Sequence, residues 1–266
     1  INYFSNHFLM FRLILSPFNF LIASLEGIGR YVELMAIMFR SILNWHKYIG
    51  LSIDHMYQIG ILSIPIVILT SLFSGMVTAV QAAYQFESGF IPTWYVGGIV
   101  GEGVLLELAP MLTALVMTGK IGATIAAEIG TMRVTEQIDA LESLSFDPIS
   151  YLIFPRIIAA VLMFPMLIIV ADIFGILGGY IVAVSSMDLT AAEFIRGLRS
   201  WFHPWDAWFG LIKGFFFAVA ITSISCYQGY YTTGGAIGVG KSTTAAVVIS
   251  CVAIFLLDYI LSALLL

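Results

Sequence analysis

LLELAPMLTALVMTGKIGATIAAEIGTMRVTEQIDALESLSFDP, residues 105–148, decides how the rest of the chain is read. It opens as a membrane-length apolar helix carrying one carboxylate, Glu107, and continues through Thr118, Gly119, Lys120, Gly122 and Ala123. It closes, over about 128–146, as a charged amphipathic segment. There Ile129, Met132, Ile138 and Leu141 recur at helical intervals among Glu128, Arg133, Glu136, Asp139 and Glu142. Hydrocarbon does not accept that density of charge, so the segment leaves the bilayer, and the apolar run from Tyr151 re-enters it. On one continuous helix Arg133 would neighbour Glu136 and Gln137, three and four residues on. A solvated loop with internal ion pairs is one reading of this segment; a handle for a soluble partner is the other.

Composition sets the class. Of 266 residues, 60% are hydrophobic and only 10% charged, with mean hydropathy +1.00, whereas soluble domains are about a quarter charged. The expectation is an all-α integral membrane protein. Eleven cations against sixteen acids, net −5, provide no nucleic-acid surface. Cys226 and Cys251 lie inside apolar runs and read as small buried hydrophobes rather than a disulfide or metal pair. The chain opens on Ile1, which points to a start trimmed upstream; Arg12 and Pro17 interrupt the first apolar run, and no signal peptide is expected.

Residues 1–50 form an N-terminal region and residues 51–266 the membrane domain. In the first, Glu26, Arg30, Glu33 and Arg40 fall on one stripe of a helix, the pattern of an amphipathic helix lying in the interface. Five spans follow. The first is predicted over Met56–Tyr84 with a kink at Pro65, and the second over Tyr95–Ala127. The third follows Pro155-Arg156 to about Met187, the fourth covers Ala207–Tyr227, and the fifth runs from Ala245. Each exceeds the ~20 residues a crossing needs. Between the third and fourth lies a polar interlude at about 188–206, where Thr190 and Glu193 have the spacing of a capping box.

With the N-terminus cytoplasmic, the inner segments hold Arg12, Arg30, Arg40, Lys47, Lys120, Arg133, Arg156 and Lys241, against Arg196 and Arg199 outside. The positive-inside bias favours this orientation and places the 128–146 handle in the cytoplasm. Gly235–Ser242 matches GxxxxGK[ST] letter for letter. A phosphate-cradling loop needs a strand to feed it and a soluble α/β domain around it; here two apolar helices flank it. It reads as a cytoplasmic turn.

The quoted stretch, above all TMRVTEQIDAL, resembles the signature of the MlaE-type permeases, membrane subunits of ABC transporters that move phospholipids between the two membranes of Gram-negative bacteria. The likeness continues through FPRIIAAVLMFP, IKGFFFAVAITSISCYQGY and LLDYILSAL, so it covers most of the chain from about residue 60. The resemblance implies an interfacial helix and five spans in the bacterial inner membrane, with two copies forming the core. It implies a coupling helix, here with Glu128, Arg133, Glu136, Gln137 and Asp139, docked on a separate ATPase that binds ATP and Mg. It also implies an MCE-domain lipid-binding ring on the outer side, and no catalytic residue or metal ligand in this chain. Leu106 stands where family members often carry Arg, Ala109 replaces the usual Gly, and Thr118-Gly119-Lys120 replaces Ala-Gly-Arg.

Ionisable groups inside a span face protein or water. Glu107 and Lys213 coincide with charged positions of the family and are the first candidates for a lipid cavity, with Glu102, Gln81 and Tyr84 as further lining. By depth either Glu102 or Glu107 can pair with Lys213, while Asp172 and Asp258 read as structural ion pairs or helix-end groups. Gly97/Gly101 and Gly175/Gly179 have the spacing of close helix contacts, within one chain or between two. Two other functions compete: a lipid-modifying enzyme using Glu102, Glu107 and His203, and a non-transporting anchor for a ring complex.

Overall fold

The computed structural model describes residues 25–40, 46–85, 92–186 and 189–266. Arg12, Pro17, the turn residues 86–91 and Asp188 lie outside these ranges. The described residues form an all-α architecture: α1 (25–40), α2 (His46–Gln85), α3 (Tyr95–Val134), α4 (Gln137–Ser143), α5 (Ile149–Ser186), α6 (Ala191–Trp201), α7 (Pro204–Tyr230) and α8 (Gly235–Leu265). Helices α2, α3, α5, α7 and α8 are long and apolar enough to cross a membrane. At 40 residues each, α2 and α3 are ~60 Å long, about twice the hydrocarbon thickness. Their charged ends therefore extend beyond lipid.

Several interruptions have a local cause in the sequence. In α2, Pro65 has no N–H to offer Ile61, and the helix tightens into a 3₁₀ turn over Ile61–Ser63 before resuming at Ile64. The helix is thus irregular just before Pro65, where a kink was expected, and α2 starts ten residues before Met56. Helix α3 widens into π turns at Val104–Leu108 and Thr118–Gly122. It runs on to Val134, so residues 128–134 are its last turns and not a separate helix. Glu136 then takes a left-handed φ of 60°, which breaks the helix, and α4 begins at Gln137. At the next connection, Gly234 and Gly235 adopt φ of +90° and +67°, values that glycine adopts without steric cost. Helix α8 starts at Gly235. The P-loop letters thus occupy helical turns after another helix, and no strand feeds them among the described residues. The region is a four-residue turn plus helix, less loop than the sequence suggested.

Helix α1 buries Leu34 and Met38 and exposes Glu26, Arg30, Glu33 and Arg40, the stripe expected of it. Tyr31 shares a 2.7 Å hydrogen bond with Ser223 of α7, and Tyr227 donates to Gly27 O at 3.1 Å. Burial pushes the Tyr31 phenol above its ordinary pKa. At the opposite end, Thr190 and Glu193 form the full capping box that starts α6. The Thr190 backbone N–H, and then its hydroxyl, hold the Glu193 carboxyl below the usual range.

The bundle is assembled by glycine. Helix α7 is central, burying Phe209, Lys213, Phe217, Ile221 and Cys226. A methyl on Gly210 would lie 2.8 Å from Leu105 O of α3, and one on Gly229 2.9 Å from Ala126 O. Helices α2 and α5 meet backbone to backbone: a methyl on Gly75 would sit 1.8 Å from Gly175 O, and one on Gly178 2.1 Å from Leu72 O. Gly97 faces Phe194 O of α6, and Gly179 faces Val100. The glycine pairs singled out in the sequence therefore serve contacts within one chain. Gly75→Val should abolish α2–α5 packing, beyond the ~1–3 kcal/mol of ordinary overpacking, because the obstacle is backbone. Thermal unfolding in detergent is expected to show a large loss, while Gly103→Ala, where a methyl meets nothing within 4 Å, leaves the midpoint unchanged.

Candidate functional site

The deepest charge in the bundle is Lys213, with no exposed side-chain surface. Its ammonium lies 2.6 Å from Glu107 Oε2 and 2.7 Å from Asp258 Oδ1, and it donates to Leu106 O at 3.0 Å. The Phe209 ring centroid is 4.7 Å away, within cation–π range. The Asp258 contact is an ion pair; its approach is not along a hydrogen-bonding direction. Three helices, α3, α7 and α8, are joined at this point.

Pro110 explains part of the geometry. In a regular helix its N–H would donate to Leu106 O, but proline has none. The chain widens instead: the Ala109 N–H reaches back to Val104 O, a π turn of the kind often found at functional sites. The Lys213 ammonium then supplies a donor to Leu106 O and reaches Glu107 in the same turn. Lys213 carries one positive charge against two carboxylates, so the cluster is net negative when both acids are ionised. Glu107 is 43% exposed and Asp258 only 15%, so the accessible edge of the cluster is Glu107. A phosphate reaches the ammonium only by displacing one of the acids.

The structure resolves which acid pairs with Lys213: Glu107 and Asp258 do. Half-buried Glu102 forms no ion pair among the described residues. Asp258 was expected to be a structural ion pair, and it is one, across helices. Its place beside Lys213 could have been read from depth, since Lys213 lies nine residues from Pro204 and Asp258 seven from Leu265, at the same end of the bundle. Gln81 and Tyr84 are exposed on α2 and share no hydrogen bond or ion pair with the cluster among the described residues. His203 precedes α7, ten residues from Lys213, or ~15 Å along the axis. It is exposed, and it is not gathered with Glu102 and Glu107. Asp172 has one buried oxygen without a partner among the described residues.

At the α4 end a second set of charges is organised. Buried Arg156 bonds Glu128 at 3.1 Å and donates to Leu152 O at 2.7 Å, which ties the end of α3 to the start of α5. Arg133 pairs with Asp139 at 2.7 Å and lies 5.6 Å from the Tyr230 ring centroid. The Arg133–Glu136 and Arg133–Gln137 pairs expected on one helix do not form. The left-handed turn at Glu136 removes their register, and Gln137 donates to Thr135 Oγ1. Glu136, Gln137, Asp139 and Glu142 are exposed, beside Leu144 at 68% and Phe146 at 54% exposure. This surface joins an acidic fringe to two uncovered apolar side chains, a combination suited to protein docking.

Five membrane-length helices carry this charged centre, and an exposed charged segment joins α3 to α5. The family described as Permease MlaE matches residues 52–264. A probable ABC transporter permease protein of Rickettsia bellii is 40% identical over 239 residues, covering 90% of this chain and 92% of the relative. A second, of Synechocystis sp., is 42% identical over 211 residues, 79% and 80% of the two chains. The chloroplastic protein trigalactosyldiacylglycerol 1 of Arabidopsis thaliana is 36% identical over 212 residues, 80% of this chain and 60% of the relative. With its spans, its loop and its similarity to these permeases, the chain belongs to the MlaE permease family of ABC transporters, as a multi-pass membrane protein.

Proposed function

We propose that this permease moves phospholipid between the inner and outer membranes, as a homodimer in the bacterial inner membrane with its N-terminus cytoplasmic. A separate ATPase binds ATP and Mg and grips the α3–α5 connection, and an MCE-domain ring receives or delivers lipid on the outer side. The observation that carries the reading is the Glu107–Lys213–Asp258 cluster, a polar centre at membrane depth with one accessible carboxylate. A headgroup can meet the charged edge while acyl chains lie on apolar helix faces, the division of labour a lipid pocket needs. The name of the plant relative contains a diacylglycerol lipid, which supports a lipid as cargo.

Two further features support the assembly. Helix α8 carries Asp258 and exposes Val248, Val252, Phe255, Leu256 and Tyr259. A second copy packed against this face would cover the apolar surface beside the cluster. On the cytoplasmic side, Glu136, Asp139 and Glu142 with Leu144 and Phe146 complement a groove that is apolar at its floor and basic at its rim. Glu128 and Arg133 act behind that surface, bracing it through Arg156 and Asp139.

Lys213→Met leaves two acids facing each other, and breaking a buried pair costs ~3–5 kcal/mol. In the reconstituted complex, lipid transfer is expected to fall at least about tenfold, with Lys213→Arg retaining part of it. Transfer unchanged in Lys213→Met would favour the anchor reading. Glu136→Lys should lower lipid-stimulated ATP turnover by roughly tenfold, as expected for an interfacial charge reversed against its partner, with no change in thermal midpoint. Wild-type turnover would count against α4 as the coupling surface. Co-purification of the ATPase and lipid turnover by the isolated chain separate the transport and enzyme readings.

A further inference from the structure

A cavity with several polar groups lies apart from the Lys213 cluster, between α2, α3 and α5 toward the α4 end. It has a volume of about 300 Å³ and is lined by His55, Gln58, Leu62, Lys120, Thr124 and Arg156, among others. The break in α2 before Pro65 and the second π turn of α3 create it. Lys120, in that π turn, donates to Leu62 O and, at 3.0 Å, to Ser63 Oγ. An ammonium has three N–H donors, so one remains for a ligand.

Charge balance at this cavity is positive. Glu128 is already engaged by Arg156, which leaves Lys120 uncompensated among the residues that line it. Arg156 is over-supplied with donors: its Nε–H has no acceptor among the described residues. His55 and Gln58 add polar atoms on the α2 side. The cavity rim is apolar, with Ile59, Ile121 and Ile125 inside and the exposed side chains of Ile61, Leu62, Ile66 and Leu69 continuing along α2. A cation beside a ladder of lipid-facing aliphatic residues is complementary to a phosphate that carries acyl chains.

We infer that this cavity binds the phosphate of a phospholipid in the leaflet at the α4 end, which is the inner leaflet in the orientation proposed above. The volume is at the lower limit for ligand pockets, so it takes the headgroup phosphate, and the acyl chains run outside on α2. Lys120 is the principal ligand, and Thr124 and His55 flank it.

The test places a photoreactive benzoylphenylalanine at Leu62, beside the cavity, and separately at Leu69, two turns along the same exposed face. The full chain is reconstituted in nanodiscs of phosphatidylglycerol and phosphatidylcholine, and phospholipid adducts are measured by mass spectrometry. Lys120→Gln keeps a donor for Leu62 O but removes the charge; losing one charge-assisted hydrogen bond should lower the Leu62-to-Leu69 adduct ratio roughly tenfold. Lys120→Arg should restore it. An unchanged ratio in Lys120→Gln overturns the inference. Inorganic phosphate bound at millimolar concentration, with no excess of lipid adduct at Leu62 over Leu69, assigns the cavity to the free anion and overturns the lipid assignment. Because the readout is binding at one position, it is independent of whether lipid is moved.

Discussion

A lysine ammonium cannot be left unpaired in the middle of an apolar bundle, and much of this molecule is arranged around that constraint. Desolvating such a charge costs several kcal/mol after relaxation. Lys213 recovers the cost through Glu107 on α3, Asp258 on α8 and a carbonyl freed by Pro110. Since the partners come from different helices, the pairing sets the rotation of α3 and α8 about the central α7. It also leaves one carboxylate partly uncovered, so the feature that fixes the fold exposes the chemistry.

The irregular turns at Ile61–Ser63 of α2 and Val104–Leu108 of α3 have a common physical origin. Prolines at 65 and 110 remove N–H donors, and the helices answer by tightening or widening. Each irregular turn is used: Lys213 reaches the one at Leu106–Glu107, and Lys120 links the other π turn of α3 to the break in α2. Strained or irregular helical backbone at membrane depth is tolerated where neighbouring groups satisfy it. Here the satisfying groups are cations, which brings positive charge to the irregular turns.

Much of this was legible in the sequence, for specific reasons. Span number followed from hydropathy, the α1 stripe from the spacing of four charges, and the α6 cap from Thr190 and Glu193. The break in α2 came from Pro65. The end of α3 was less legible, because a helical pattern of apolar residues continues through a turn that one left-handed residue, Glu136, interrupts. For the same reason the Arg133 partner was misjudged: i,i+3 reasoning requires an unbroken helix. The start of α8 was hidden by glycines, which lower helix propensity without forbidding a helix that packing supports. Asp258 is visible in the sequence as a buried charge, and its partner follows from the matching depths of Asp258 and Lys213 at one end of the bundle. The π turn at Val104–Leu108 left only Pro110 as a trace, and the one at Thr118–Gly122 left none.

Where α2 and α5 touch through Gly75, Gly175 and Gly178, each backbone is seated in the other's groove. Two rods interlocked at that distance have no cushion of side chains to slide on. They form a single stiff plate, so any breathing of the chain has to be taken up away from this contact. Motion on such a scaffold is uneven: this wall stays fixed while looser contacts give.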